Sequence, residues 1–501
     1  MQHSSLAQSV SAKLMQQHKK VPLHTPMSRE NFSPFDSVAH IWETLELPKD
    51  ALDSLKLPQD AECYPSSFKV DHLAQSCIAA SALAAALFRS IRLQVSIPRV
   101  IVPVEHACVE FKSERLYVLD GKPAPSSWGT IGGLHKTADG YVRMHDVFPD
   151  HRLNALRILG LGENATRKDV GGKMLEWKSV QLETEAFVRG AVIAALRSFE
   201  QWDELPQAKS VPDVPILLRK LSHSSPFTRS PKLLKDDGCL RGIRVLEMSR
   251  VIAAPVAGKT LAAHGADVIW VTSPTLPDLP DLDRDLARGK RTVQLDIKRP
   301  EDKAKLLELL KSADVFLQGY RPNSLSSQGL STSELTGVNP NLIVANLSAY
   351  GPGPWSENRG FDSLVQTCSG INVAEAARYG AGEPARVLPC QAFDHGAGYL
   401  LATGVISALY KRATVGGAYE VNVSLAGVMK YLRSLGQYEG HTGYTRKDFG
   451  SSDDVEHYLE TRDTEFGKLK AVRHAATIEG IKINWEFMPK PLGSDDPVWL
   501  T

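Results

Sequence analysis

The chain has 501 residues, 43% of them hydrophobic, enough for two to four domains of ~100–200 residues with sizeable cores. Lys and Arg number 58 against 57 Asp and Glu, a net charge of +1, so no global field calls for nucleic acid or an anionic membrane, and any anion site has to be local. Six cysteines without a CxxC pair speak against a disulfide or zinc framework and suit free thiols in a reducing, cytoplasmic setting, with mitochondrion and peroxisome left open.

In chain order, residues 1–38 are polar, with no arginine before Arg29, and read as a disordered leader rather than a targeting segment. No uninterrupted apolar window approaches the ~18–20 residues of a membrane span. Residues 68–92 pair Asp71-His72 with an Ala/Leu-rich helix, and 95–104 resemble a strand. The same succession returns at 390–424, where Asp394-His395 precedes an apolar helix and a strand, so an internal repeat is expected. In the first copy glycines do not follow the aspartate, and Asp71 reads as structural. Asp139-Gly140 predicts a hairpin between a strand ending at Lys136 and one at 141–145. His145 and His151, with Asp146 and Asp150, meet no metal-ligand spacing and read as a solvated loop. The helical patterns that follow end at Pro206, and residues 211–236, rich in Pro and Ser, read as a linker.

From Gly242 onward, apolar strands alternate with helices, which predicts a parallel sheet covered on both faces. GxGxxG is missing after the first strand, so nicotinamide chemistry is not expected. The fold class is therefore α/β: a Rossmann-like doubly wound parallel sheet, a smaller α+β domain, and a partial internal duplication. The expected division is a truncated first copy at 39–210, the linker, a catalytic domain at 237–435, and a return segment at 436–501.

Ligands of such sheets bind beyond the carboxyl ends of the strands. Five segments are expected there: Arg250-Val251-Ile252, Ser273-Pro274, Arg288-Gly289-Lys290-Arg291, Tyr320-Arg321-Pro322 and Ala349-Tyr350-Gly351. Fixed cations beside an aromatic ring suit a phosphorylated adenine nucleotide. Asp394 reads from the pattern alone as a helix N-cap. Its alternative role is a nucleophile, ionised and oriented by the helix start, with Gly396 and Gly398 leaving room for a bulky substrate arm and exposing N–H groups toward an oxyanion.

GIRVLEMSRVIAAPVAGKTLAAHGADVIWV, RGKR before VQLDI, ADVFLQGYRPNSL, LSAYGPGPW, RGFDSLVQ and FDHGAGYL run in one order. They resemble the family III CoA-transferases, the CaiB/BaiF group, closely over 240–435 and more loosely over 65–220. The resemblance implies that Asp394 is the catalytic aspartate and that Arg288, Lys290, Tyr320, Arg321, Ala349 and Tyr350 fall where the family holds coenzyme A. It implies an acyl-CoA and a carboxylic acid acceptor, no metal, and an interlocked homodimer. The alternative to that dimer is an internal pseudo-dimer of the two aspartate-bearing helices. The small-domain-like segment precedes the sheet here, and Gly129 to Gly133 is only a weak match to the family's glycine loop. Two other readings stay open. An α-methylacyl-CoA racemase would need a histidine where Phe361 stands beside Asp362, and a non-catalytic CoA-binding scaffold would need no nucleophile.

Overall fold

In the computed structural model, residues 27–228 and 238–500 are described. The central element is a seven-stranded sheet of β1 (Ile216–Lys220), β2 (Arg244–Met248), β3 (Asp267–Thr272), β4 (Lys290–Gln294), β5 (Val315–Gln318), β6 (Ile343–Ser348) and β7 (Tyr419–Ser424), in the order β4-β3-β2-β5-β6-β7-β1. Runs such as Val315 to Gln318 are buried throughout, the signature of strands covered on both faces. The six strands from β2 to β7 are parallel, and only β1 runs antiparallel, beside β7. Counted from β2 the parallel order is 3-2-1-4-5-6, so the strand order reverses between β2 and β5. A crevice opens at such a reversal beyond the strands' carboxyl ends.

Helices α1 (Val70–Leu93), α2 (Ala253–Ala263), α3 (Asp362–Cys368) and α4 (Ala392–Thr414) build the site. Helix α4 packs against both α1 and α2. Small residues permit the close approach: a Cβ on Gly398 would stand 2.6 Å from the Ala253 carbonyl oxygen and from Val256 Cβ. Ile78 and Leu83 of α1, and Leu400 and Leu409 of α4, are fully buried. The apolar faces of the two long helices thus cover one another within a single chain, each Å² of apolar burial contributing ~25 cal/mol. Helix α1 is long and apolar enough to span a membrane by length and composition, a property the search for uninterrupted apolar windows missed; in this fold it is a core helix, buried along most of its length.

The predicted hairpin is present: Gly133–Lys136 pairs antiparallel with Tyr141–Met144, and Ile193–Ala195 completes the sheet. Three helices, Pro149–Ile158, Arg167–Met174 and Ser179–Arg189, cover it around Val142, Leu156, Met174 and Leu182. All six cysteines are buried and free.

Three boundaries differ from the sequence reading. Residues 1–26 of the expected leader lie outside the described residues, but a helix begins at Pro34, closed by a capping box between Ser33 and Asp36, and Arg29 is buried against Asp213 and Ser434. Within the expected linker, 216–220 is strand β1; residues 229–237 lie outside the described residues. Prolines bracket that strand without interrupting it, and an edge position tolerates them. Of the strand expected at 95–104, only Val100–Ile101 forms, in a separate sheet with Leu55–Lys56 and Thr477–Ile478.

Candidate active site

The start of α4 is capped by another helix. Its N-cap, Gln391, makes no side-chain cap bond. Instead Asp362 Oδ2, from the first residue of α3, accepts the backbone N–H groups of Phe393 and Asp394 at 2.7 and 3.0 Å. Gln366 Nε2 donates to the other oxygen, Asp362 Oδ1, at 2.5 Å. The N-cap reading of Asp394 is therefore corrected: Asp362 satisfies those donors, and the Asp394 side chain is left to face the interior cavities.

Two cavities meet at Asp394. The first, about 340 Å³, lies at the reversal of strand order and is lined by Arg250, Tyr320, Arg321, Ala349, Arg359 and His151 among others. The second, about 280 Å³, is lined by Trp128, His145, Val147, Leu279, Leu282 and Arg115 among others. Val251, Ile252, Phe361 and Asp394 border both. Val251 holds this junction with φ of +74°, a conformation that β-branched residues rarely adopt and that costs about 1–3 kcal/mol.

Burial raises the proton affinity of Asp394 well above the ordinary carboxylate range, and the nearby Asp362 and Glu114 charges add to it. Asp362 is itself pushed up to about 6 by burial, against the hydrogen bonds that favour its charged form. Ionisation by the helix start, expected from sequence, is thus outweighed, because Asp362 already occupies that positive end. The next residue, His395, bonds Glu114 through Nε2 at 2.9 Å and stacks on Phe111 with ring centroids 5.4 Å apart. Burial would raise Glu114, but the His395 and Arg115 charges outweigh it and hold it below its usual value.

Of the expected nucleotide-binding residues, Arg250, Tyr320, Arg321 and Ala349 do line the first cavity. Arg250 lies 4.4 Å from the Phe148 ring centroid and donates to the Pro277 carbonyl at 2.6 Å. Arg288 and Lys290 do not line it. They precede or begin β4, at the end of the strand opposite the crevice, because the segment enters the strand rather than leaves it. Arg288 is buried between Asp285, at 2.5 Å, and the Trp485 ring, 4.0 Å from its guanidinium carbon. Lys290 is buried on Glu247 at 2.8 Å and donates to the Pro255 carbonyl. Tyr350 is also withdrawn, 1% exposed and edge-on to Trp355. Gly396 and Gly398 face Val428, Leu73 and α2 rather than a cavity, so their lack of side chains serves helix packing.

Sequence reading missed the contribution of the smaller domain. His145 stacks on Phe361 with centroids 3.9 Å apart and planes 4° apart, and His151 meets the same ring edge-on at 5.9 Å. Burial keeps both neutral, His145 at about 3 and His151 at about 4. The charges of Arg359, Arg250 and Arg321 also lower His151, which registers their convergence on one cavity. Arg359, read only as part of a motif, is the third arginine. Its neighbourhood to the strand ends could be found from RGFD alone only by knowing where α3 docks. Gly129 and Gly132 wrap the Asp146 carboxylate, which accepts the Ile131 N–H at 2.9 Å; a Cβ on either glycine would collide with it. Asp71 is engaged by Tyr438 at 2.8 Å and Arg446 at 2.5 Å.

Residues 240–464 match the sequence profile of CoA-transferase family III. The formyl-CoA:oxalate CoA-transferase of Rhodopseudomonas palustris (strain BisA53) is 33% identical over 207 residues, covering 39% of this chain and 48% of that protein. An acyl-CoA transferase of Gibberella moniliformis is 29% identical over 312 residues, 58% of this chain and 54% of the relative. A CAIB/BAIF family protein from Brucella suis, known from a crystal structure, is 28% identical over 39% of this chain and 55% of its own, with a TM-score of 0.35. The chain spans about half the length of these relatives. Over residues 240–464, the segment that supplies the crevice, α3 and Asp394, the chain is similar to the CoA-transferases of family III.

Proposed function

We propose that the protein moves coenzyme A from an acyl-CoA thioester to a free carboxylic acid, with Asp394 as the nucleophile. The observation that carries this reading is the position of the Asp394 carboxyl at the meeting of a cavity bearing Arg250, Arg321 and Arg359 with one walled by apolar side chains. The arginines suit the phosphates of coenzyme A, and Tyr320 offers an aromatic ring to the adenine. The thioester would then lie at the junction.

In the reaction, an Asp394 oxygen attacks the thioester carbonyl, the C–S bond breaks, and a mixed anhydride and the coenzyme A thiolate form. The thiolate attacks the aspartyl carbonyl and releases the first acid as its carboxylate. The acceptor carboxylate then attacks the aspartyl thioester and the sequence runs backward, so atoms and charges balance without an oxidant or ATP. A raised proton affinity suits the resting enzyme, because a lone anion is disfavoured in a dry site; the carboxylate becomes reactive once the proton leaves and desolvation strengthens its attack. The paired long helices α1 and α4 fit an ancestral duplication, with Asp71 retained as an ion-pair partner.

Hydroxylamine added with an acyl-CoA tests the mechanism. The expected product is a hydroxamate at Asp394, detected by peptide mass spectrometry and missing from Asp394→Ala. A hydroxamate formed equally in the variant would overturn the assignment. One observation favours a second reading: His145, neutral and with Nδ1 unpartnered, borders the same cavity as Asp394 and stacks on the phenylalanine that replaces a histidine base. An isomerase using that imidazole would exchange the α-proton of a 2-methylacyl-CoA in deuterated water without any acceptor acid, and His145→Gln would stop it.

A further inference from the structure

The second cavity carries an inference about the acid itself, and it rests on the CoA-transfer reading above. At the ~30 Å³ that a water-sized group occupies in a liquid, 280 Å³ has room for roughly nine such groups beyond the Asp394 carboxyl. Its apolar walls are Trp128, Val147, Val251, Ile252, Leu279 and Leu282, with Ser126, Ser127 and Gln391 as polar neighbours. Trp128 is half exposed, so its indole forms a rim rather than part of the closed core. Apolar surface concentrated in one pocket of a polar site is what a hydrocarbon group needs, and a small or doubly charged acid would leave it filled with poorly bonded water.

The charged groups on this cavity point the same way. Its carboxyls are Asp394 and Glu114, and the cation in its lining, Arg115, is already engaged: Nε lies 3.2 Å from Glu114, and Nη2 donates to Gln391 Oε1 at 3.3 Å. A second carboxylate on the substrate would meet the Glu114 charge and would have to compete with Glu114 and Gln391 for the Arg115 guanidinium. His145 supplies an imidazole whose face is covered by Phe361.

We infer that the acyl group transferred by this protein is that of an apolar monocarboxylic acid of about six to nine carbons, linear, branched or aromatic, seated between Trp128 and Leu282, rather than a one- or two-carbon acid or a dicarboxylate. Oxalate, in the name of one relative, has no apolar surface to bury.

The test is identity exchange, in which a labelled free acid trades places with its own CoA ester, so no second acid needs to be known. Acetate, hexanoate, phenylacetate and succinate are run with their esters on the full-length protein. Each methylene that enters an apolar pocket is worth about four-fold. Hexanoate and phenylacetate are therefore expected to exchange with kcat/KM more than ~50-fold above acetate and succinate. Acetate or succinate at parity would overturn the inference and leave CoA transfer standing. Leu279→Trp, which fills the cavity from its partly exposed edge, should lower the hexanoate-to-acetate ratio at least ten-fold; an equal loss on both acids would also overturn it. If no acid exchanges, the CoA-transfer reading is the one that fails. Calorimetric titration with hexanoate and with succinate then still reads the cavity: saturable hexanoate binding without succinate binding supports the apolar pocket, and the reverse overturns it.

Discussion

The Asp362 carboxylate accepts the Asp394 backbone N–H at 3.0 Å, so one acidic residue caps the helix that presents the other. Their charges oppose each other across a buried site, and after burial Asp362 is the larger charged contributor to the raised proton affinity of Asp394. Asp362→Asn keeps an oxygen for the cap and removes the charge. The acidic limb of the pH dependence of kcat should move to lower pH, at a cost of about 1–3 kcal/mol in stability, because the Asn amide then faces the Gln366 Nε2 that donated to the second carboxylate oxygen. An unchanged pH profile would detach Asp362 from the ionisation of Asp394.

Stability should carry the mark of the same pair. Both carboxyls bind protons more tightly in the native chain than an unfolded carboxyl at ~4 does. A native state that holds more protons than the unfolded one loses stability as pH rises above that value and through the raised native values. Asp394→Asn removes one such group, so it should stabilise the protein by about 1–2 kcal/mol at pH 8 and hardly at all at pH 4.5, even as activity is lost. Thermal unfolding of wild type and variant at both pH values checks the sign.

The arginines divide into two groups with opposite expected behaviour. Arg250→Gln, Arg321→Gln and Arg359→Gln should each raise the KM for acyl-CoA roughly ten-fold with little change in melting temperature. Lys290→Met strands Glu247 as a buried acid, and Arg288→Gln removes one of the two cations on buried Asp285, leaving Lys259 at 2.7 Å, so the first should cost about 3–5 kcal/mol and the second less. These two should unfold easily yet keep the wild-type KM in whatever fraction folds. Steady-state kinetics beside denaturant titration separates the groups.

Gly398→Ala should push α4 away from α2, since its Cβ would meet the Ala253 carbonyl oxygen and Val256 at 2.6 Å. Overpacking of that kind costs about 1–3 kcal/mol. Gly396→Ala meets only the movable Val428 Cγ1 at 3.0 Å and should cost less. Were both glycines oxyanion donors, the two variants would lose kcat at unchanged stability, which thermal melts and kcat together would reveal.

Much of this architecture is legible in local chemistry. The parallel strands announce themselves as buried apolar runs, the Asp139-Gly140 turn marks its hairpin, and Asp394 stands at a helix start. Long-range placement is what hides the rest. Asp362 lies 32 residues before the N–H it caps, and no spacing rule links the two. His145 and His151 sit in a polar, turn-rich stretch, and only the docking of the smaller domain on Phe361 buries them. The basic run at 288–291 misleads because a strand's start and end carry similar residues, while only the carboxyl end faces the crevice. Strand β1 escapes notice because its prolines speak of linker while its edge position excuses them.

The edge of the sheet at β4 is covered by the chain's own later residues. Asp495 Oδ2 accepts the Thr292 N–H at 2.7 Å from 203 residues away, the Asp495 N–H returns to the Thr292 carbonyl at 3.0 Å, and Trp485 and Trp499 anchor the segment to the carbonyls of Lys259 and Leu309. An unpaired edge is a template for whatever strand reaches it first. During synthesis β4 therefore waits for most of the remaining polypeptide before its seal arrives, and in that interval neighbouring nascent chains compete for the same hydrogen bonds. A ribosome-stalled or proteolysed form ending before residue 485 should be the aggregating species in a cell extract, recoverable by adding the missing segment as a peptide, and the full-length chain should be indifferent to that peptide.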